Sequence, residues 1–133
     1  MAVQTKQQRR AKFALDEIVK YKDSSKNKAE FHDFANFIVG MPNMILSSGL
    51  AQTLAFLLTK KDKQKKAFVI IKNWIQTPNN ASFGIKGDTD IAFLNAFSMI
   101  KDQKTYIDVQ NETLRLVEWL KLYARAFDEE KKD

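Results

Sequence analysis

The sequence predicts an all-α fold, a single compact bundle of about five to six helices formed by one domain over residues 1–133. Three observations carry that expectation. No stretch alternates apolar and polar residues with the period of two that a half-buried strand needs. Apolar residues instead recur three and four apart in one segment after another. The last segment is the most regular: Val109, Thr113, Leu116, Leu120, Tyr123 and Phe127 follow at steps of 4, 3, 4, 3 and 4, a seam suited to near-antiparallel helix packing.

Residues 3–22 read as the first helix. Ala11, Leu15, Ile18 and Val19 share its apolar face, and Lys6, Arg9, Arg10 and Lys20 fall on the opposite side. Phe13 projects from that basic arc. Two readings are open for it: an aromatic that stacks on bases between phosphate-binding cations, or packing on another part of the fold. A polar turn follows, in which Asn27 with Glu30 three residues later has the form of a capping box. A second helix then runs to about Val39, with Phe31, Phe34, Ala35 and Ile38 inward. Gly40 suits its stop, and Pro42 suits the first turn of the next helix.

Met41 to Leu58 is the central helix of the expected bundle, with no Lys, Arg, Asp or Glu in it. Ile45, Leu46, Leu50, Thr53, Leu54, Leu57 and Leu58 recur at helical spacing. Ser47, Ser48, Gly49 and Ala51 form a small-residue patch inside it. A glycine there costs about 1 kcal/mol relative to alanine, so it marks a bend or the close approach of a neighbour. Asn43, Gln52 and Thr53 make the run too polar to span a bilayer, and no run is expected to be transmembrane.

Lys60 to Lys66 is the densest basic stretch, reading either as phosphate-backbone contact or as a solvated loop. Residues 64–76 form a helix with a wide apolar arc, Phe68, Ile71 and Ile75 flanked by Val69, Ile70 and Trp74. Residues 77–87 are the one long loop. Its Gly84-Ile85-Lys86-Gly87 has the form of a backbone-clamping GxxG, but the strands of a KH domain are missing. Asp88 is expected to cap a further helix, with Phe93, Leu94, Ala96, Phe97, Met99 and Ile100 deeply buried. Thr105 and Asp108 open the last helix, with Arg115, Glu118 and Lys121 toward solvent. The mixed-charge tail from Asp128 onward is expected to fray.

Catalysis finds no support. His32 is the only histidine and there is no cysteine, so no Ser–His or Cys–His pair and no metal set is spaced for use. His32 reads as structural, Asp88 and Asp90 as first-turn acids. No catalytic residue, metal or cofactor is expected. The net charge is +6. Residues 1–66 hold 13 Lys/Arg against 6 Asp/Glu (+7), and residues 67–133 hold 9 against 10 (−1). That asymmetry points to a polyanionic partner, with uneven surface charge for solubility as the alternative. A DNA-binding regulator would need a recognition helix with base-reading side chains, and the apolar central helix cannot serve as one.

Two segments carry a resemblance. Met41-Pro42-Asn43-Met44-Ile45-Leu46 followed by Ser48-Gly49-Leu50-Ala51-Gln52-Thr53-Leu54-Ala55-Phe56-Leu57 resembles the signature of the small all-helical subunit of the Cmr-type (type III-B) CRISPR effector complex. Glu112 to Ala124 resembles that family's last helix. The absence of cysteine is compatible with a reducing cytoplasm, so a cytoplasmic location is expected. The resemblance implies a non-catalytic subunit. Its copies stack head-to-tail into a minor filament beside the backbone subunit, along the groove where guide RNA pairs with target RNA. It implies no membrane partner and no small-molecule substrate. Charge clustering, not the resemblance, nominates the RNA contacts: Lys6, Arg9, Arg10, Lys20, Lys60, Lys61, Lys65 and Lys66. Without the resemblance the chain reads as a stand-alone basic helical nucleic-acid-binding module or a protein-only assembly scaffold.

Overall fold

A computed structural model describes residues 4–130. They form α1 (Lys6–Ser24), α2 (Lys28–Leu57), α3 (Lys63–Ile75), a 3-10 turn (Pro78–Phe83), α4 (Asp90–Ser98) and α5 (Gln103–Phe127). No strand occurs among the described residues, so the all-α expectation is borne out. The chain divides into two units, Met1–Pro42 with Arg115–Asp133, and Asn43–Leu114. Both divisions fall inside helices, so α2 and α5 contribute to each unit.

In the first unit, α1 opens on a reciprocal cap. The Gln8 N–H donates to Thr5 Oγ1 (3.1 Å) and the Thr5 N–H donates to Gln8 Oε1 (2.8 Å). Its buried line is Arg10, Ala14, Glu17 and Ile18. The expected face of Ala11, Leu15, Ile18 and Val19 is corrected: Val19 is exposed, and Ala11 and Leu15 are only half-buried. Ala14, Ile18 and Tyr21 fall one helical turn apart, and the Tyr21 ring stacks on Phe34 at 3.8 Å and 13°. That stack sets the roll of α1, and Arg10 and Glu17 are carried inward on the same line. Two polar members hide this line from any reading of apolar stripes.

Asn27 caps α2 through its Oδ1, which accepts from the Glu30 N–H (2.9 Å). Glu30 reaches back to the Lys26 N–H rather than to that of Asn27. The expected stop at Gly40 does not occur. Phe34, Ile38, Met41 and Ile45 are buried at steps of 4, 3 and 4, and this seam carries the helix through Gly40 and Pro42. By length and composition α2 is apolar enough to cross a membrane, which corrects the expectation that no run reaches that threshold. Phe31, Phe34, Ile38, Met41, Ile45, Leu50, Leu54 and Leu57 are all buried within the protein, as in a core helix.

The fraying expected from Asp128 onward does not occur at Asp128 and Glu129, which belong to the first unit. Asp128 is buried, bonded to His32, and Lys22 Nζ donates to the Phe127 carbonyl (2.8 Å). Glu129 pairs with Lys28 and Lys22, whose ammonium groups hold its carboxyl below the usual carboxylate range. Residues 131–133 of that tail lie outside the described residues.

In the second unit α2 breaks at Gly49, where φ is +80° and ψ is 160°. The break exposes backbone groups that a continuous helix would pair internally. The Leu50 N–H donates to Gln110 Oε1 (2.9 Å) and the Ala51 N–H to Tyr106 Oη (3.2 Å), both side chains on α5. Thr53 Oγ1 donates to the Gly49 carbonyl (2.8 Å). The wide arc of α3 is buried as its pattern implies, Ala67, Phe68, Ile70, Ile71, Trp74 and Ile75 together. Trp74 Nε1 donates to the buried Glu112 carboxylate (2.9 Å). α4 departs from expectation. Only Phe93 and Phe97 are buried, and Ile91 and Met99 are exposed at 81% and 63%. A short surface helix needs only one buried line, and Phe93, packed edge-on to Phe68 at 5.8 Å, supplies it. Thr89, not Asp88, caps α4, accepting from the Ala92 N–H (3.0 Å). Asp102 caps α5 through the Thr105 N–H and hydroxyl.

Two glycine substitutions are expected to move stability in opposite directions. At Gly49 a Cβ meets Tyr106 Oη at 3.7 Å and Gln110 Oε1 at 4.0 Å, so space is adequate, but the backbone conformation is open essentially to glycine alone. Gly49→Ala is expected to cost about 1–3 kcal/mol. Gly40 is helical with nothing within 4 Å of a new Cβ, so Gly40→Ala is expected to add about 0.5–1 kcal/mol. Urea unfolding of both variants checks this, and equal changes at the two sites would contradict the placement of the break.

Candidate nucleic-acid interface

The eight cations nominated from the sequence fall four in each unit. In the first unit, Lys6 is half-buried and Lys20 is exposed beside Glu17 (3.6 Å). Arg9 is half-buried and its Nη1 donates to the Gln4 carbonyl (2.5 Å). Arg10 is corrected from the solvent-facing arc: it is only 6% exposed. Its place on the Ala14–Ile18 line turns it inward. Phe13, on the same helix, is half-buried.

In the second unit, Lys60 and Lys61 are exposed in the connection between α2 and α3. Neither side chain forms a hydrogen bond or ion pair among the described residues. Lys65 and Lys66 belong to the first turn of α3 rather than to a loop. Cations at a helix N-terminus oppose the helix dipole. Lys65 is compensated by a bond to the Asp90 carboxylate of α4. Lys72 reaches the same carboxylate at 3.3 Å and the Asp88 carbonyl at 3.1 Å. The Lys65 ammonium, with Lys72 helping, holds the Asp90 carboxyl below the usual range despite partial burial. Asp90 therefore serves as the anchor of a two-lysine clamp. The structure thus gathers Lys60, Lys61, Lys65 and Lys66 into one short basic segment in which Lys65 is committed to Asp90.

The sequence asymmetry of charge does not survive folding. α5 returns its C-terminal half to the first unit. That unit then holds 13 Lys/Arg against 10 Asp/Glu, and the second holds 9 against 6, so each carries +3.

His32 Nδ1 lies 2.8 Å from Asp128 Oδ2, and Asn36 Nδ2 lies 3.1 Å from its Nε2. An Asp–His pair of this kind can orient a general base, but the nitrogen such a base would use is engaged by Asn36. The pair instead ties α2 to the end of α5. No group of three or more potential metal ligands occurs among the described residues.

A family model described as CRISPR-associated protein (Cas_Cmr5) matches residues 6–127. The chain belongs to this Cmr5 family. It is a small subunit of the Cmr-type, type III-B, CRISPR effector complex. The match runs from the first residue of α1 to the last of α5, so every helix of both units lies inside the family's extent.

Within this Cmr5-family fold the sequence reading missed one feature. Gln7, Arg10, Arg115, Glu118 and Trp119 line a solvent-open depression of about 520 Å³ in the first unit. Reading α5 as a packing seam placed Tyr123 and Phe127 inward. They are half-buried and 37% exposed, stacked in series with Trp119 at 5.7 and 6.4 Å. The available signal was the strict step of four, Arg115, Trp119, Tyr123 and Phe127, which puts one cation and three aromatics on one ridge.

The Asp90 clamp has a pH signature. Its carboxyl is more acidic when folded, so its contribution is complete above the ordinary carboxylate range and is lost as pH falls through the depressed value. Asp90→Asn is expected to cost about 0.5–1 kcal/mol near neutral pH. In denaturant unfolding at several pH values, the gap to the parent protein is expected to close on acidification. A gap that is independent of pH would contradict the clamp.

Proposed function

We propose that this Cmr5-family subunit is non-catalytic and cytoplasmic, and that it grips the guide–target RNA through the phosphate backbone without reading bases. The observation that carries this reading is the Lys60–Lys61 pair, exposed and without a side-chain partner among the described residues. Lys66 follows in the first turn of α3, where dipole and cations together favour an anion. Flexible ammonium groups are suited to backbone contact, which needs point charges and no base geometry. Sequence reading then belongs to the pairing of guide with target. Lys6, Arg9 and Lys20 form the accompanying contact set on the first unit. Arg10, being buried, is left out of that set.

Head-to-tail stacking of copies beside the backbone subunit is part of the same proposal. A heterologous interface needs two different patches on one chain. With +3 on each unit, net charge does not distinguish them. Exposed apolar residues are the candidate patches, Leu122 on the first unit and Ile91 and Met99 on the second.

The salt dependence of RNA binding tests the phosphate reading. With about four phosphates of a single strand neutralised, log K is expected to fall with log[salt] at a slope near −3. Replacing Lys60 and Lys61 together by Gln is expected to reduce the slope by about 1 to 1.5 while leaving the helical circular-dichroism spectrum intact. A flat salt response would favour a protein-only scaffold.

A further inference from the structure

We propose that Lys65 and Lys72 of α3 form a phosphate site that the Asp90 carboxylate occupies in the free chain and that a phosphodiester of single-stranded RNA takes over on binding. This rests on the reading of the chain as an RNA-contacting subunit and adds a masked site to the exposed lysines.

The geometry is that of a two-cation receptor holding an internal anion. Lys65 and Lys72 are seven apart on α3, about two helical turns along one face. Their side chains converge on one carboxylate of the same unit. Lys65 Nζ donates to Asp90 Oδ2, and Lys72 Nζ donates to Asp90 Oδ1 at 3.3 Å. Two ammonium groups drawn to one point repel each other unless an anion lies between them. A phosphodiester, like a carboxylate, offers two oxygens that share a single negative charge on one central atom. It can therefore replace Asp90 oxygen for oxygen.

The parts are held unequally, which makes the exchange feasible. Lys72 is the more covered cation, its side chain 13% exposed. It also donates to the Asp88 carbonyl at 3.1 Å, so it keeps a partner when Asp90 leaves. The side chains of Lys65 and Asp90 are 39% and 29% exposed, within reach of an incoming strand. Asp90 opens α4, and in that first turn its charge stays favourable beside the helix N-terminus without any lysine. Ion pairs this exposed are weak enough to be exchanged for another anion.

The neighbours select the source of the anion. Lys60, Lys61, Lys63 and Lys66 form no side-chain hydrogen bond or ion pair among the described residues, and they flank Lys65 in one segment. Asp62 is the one acid within that run. A free phosphate ion satisfies the clamp alone, whereas a strand presents successive phosphates to the whole row. Ammonium groups read charge and not base identity, so the masked site holds any sequence alike.

The test uses the full chain and a single-stranded oligouridine of about ten nucleotides, titrated in chloride at low salt. Asp90→Asn removes the competing charge from the lysines and is expected to tighten binding about 2- to 5-fold, although it lowers stability. In a background of Lys65→Gln with Lys72→Gln the same substitution is expected to bring no gain, because no site is left to unmask. If that background does not fold, Lys65→Gln alone, at the more exposed cation, is expected to remove most of the gain. Asp62→Asn is the control. It removes the same charge from the same basic segment, and any gain it brings is expected to survive the loss of Lys65 and Lys72. No tightening by Asp90→Asn, or a tightening that persists without the two lysines, would overturn the masked site and leave the lysine reading standing. Equal dependence of the Asp62 and Asp90 variants on the two lysines would do the same. Failure of the parent chain to bind the oligonucleotide at low salt would overturn both.

Discussion

The bonds that close the backbone break at Gly49 are the constraint on which the second unit depends. A helix interrupted in its middle leaves N–H groups on one side and carbonyls on the other without partners, and each is costly if buried unpaired. Here Gln110 and Tyr106 of α5 take the two N–H groups that follow the break, and Thr53 takes the Gly49 carbonyl. The small residues around Gly49 allow the two α5 side chains to reach the backbone. The family-like Ser48–Thr53 segment is therefore a docking joint between helices. Its chemistry also explains why the segment tolerates so much polarity at the centre of an apolar helix.

α5 continues from that joint into the first unit. Its first half carries the two capping side chains, and its second half carries Arg115, Trp119, Tyr123 and Phe127 at steps of four. Because α5 contributes to both units, the acidic residues at its end are shared out with the basic N-terminal third. The result is equal positive charge on the two units. Electrostatics then serves attraction of a polyanion more readily than pairing of one unit with the opposite unit of another copy. The apolar residues left exposed on α4 and near the end of α5 are better suited to protein contacts.

Much of the fold could be read from residue pattern alone. The wide apolar arc of α3 left burial or a docking surface open, and burial takes six of its seven apolar residues, with Val69 half-buried. The cost of glycine within a helix marked Gly49 as a bend or a close approach, and the helix does break there. Other features were set by contacts between distant residues. The roll of α1 depends on Tyr21 meeting Phe34, and it buried Arg10 and Glu17, which no apolar count would select. Gly40 and Pro42 are the usual punctuation of a helix end, but the burial of Ile38, Met41 and Ile45 outweighed that local preference. α4 looked buried because apolar residues surround it, and its short length leaves half of them outside. The lysine segment was visible as charge density. The commitment of Lys65 to Asp90 was not, since the two are 25 residues apart. The depression at Trp119 combines residues from opposite ends of the sequence and becomes visible only when α1 and α5 are placed in one unit.

Family membership makes this chain a Cmr-complex subunit, and the central claim is that its own basic residues meet RNA inside that complex. Reconstitution with the other Cmr subunits and a guide RNA, followed by ultraviolet cross-linking with and without complementary target, tests it most directly. The account predicts that the chain elutes with the large complex and that adding target creates RNA cross-links on peptides of this chain. Entry into the complex with no RNA cross-link to this chain in either state would contradict it, and would make the subunit a protein scaffold alone.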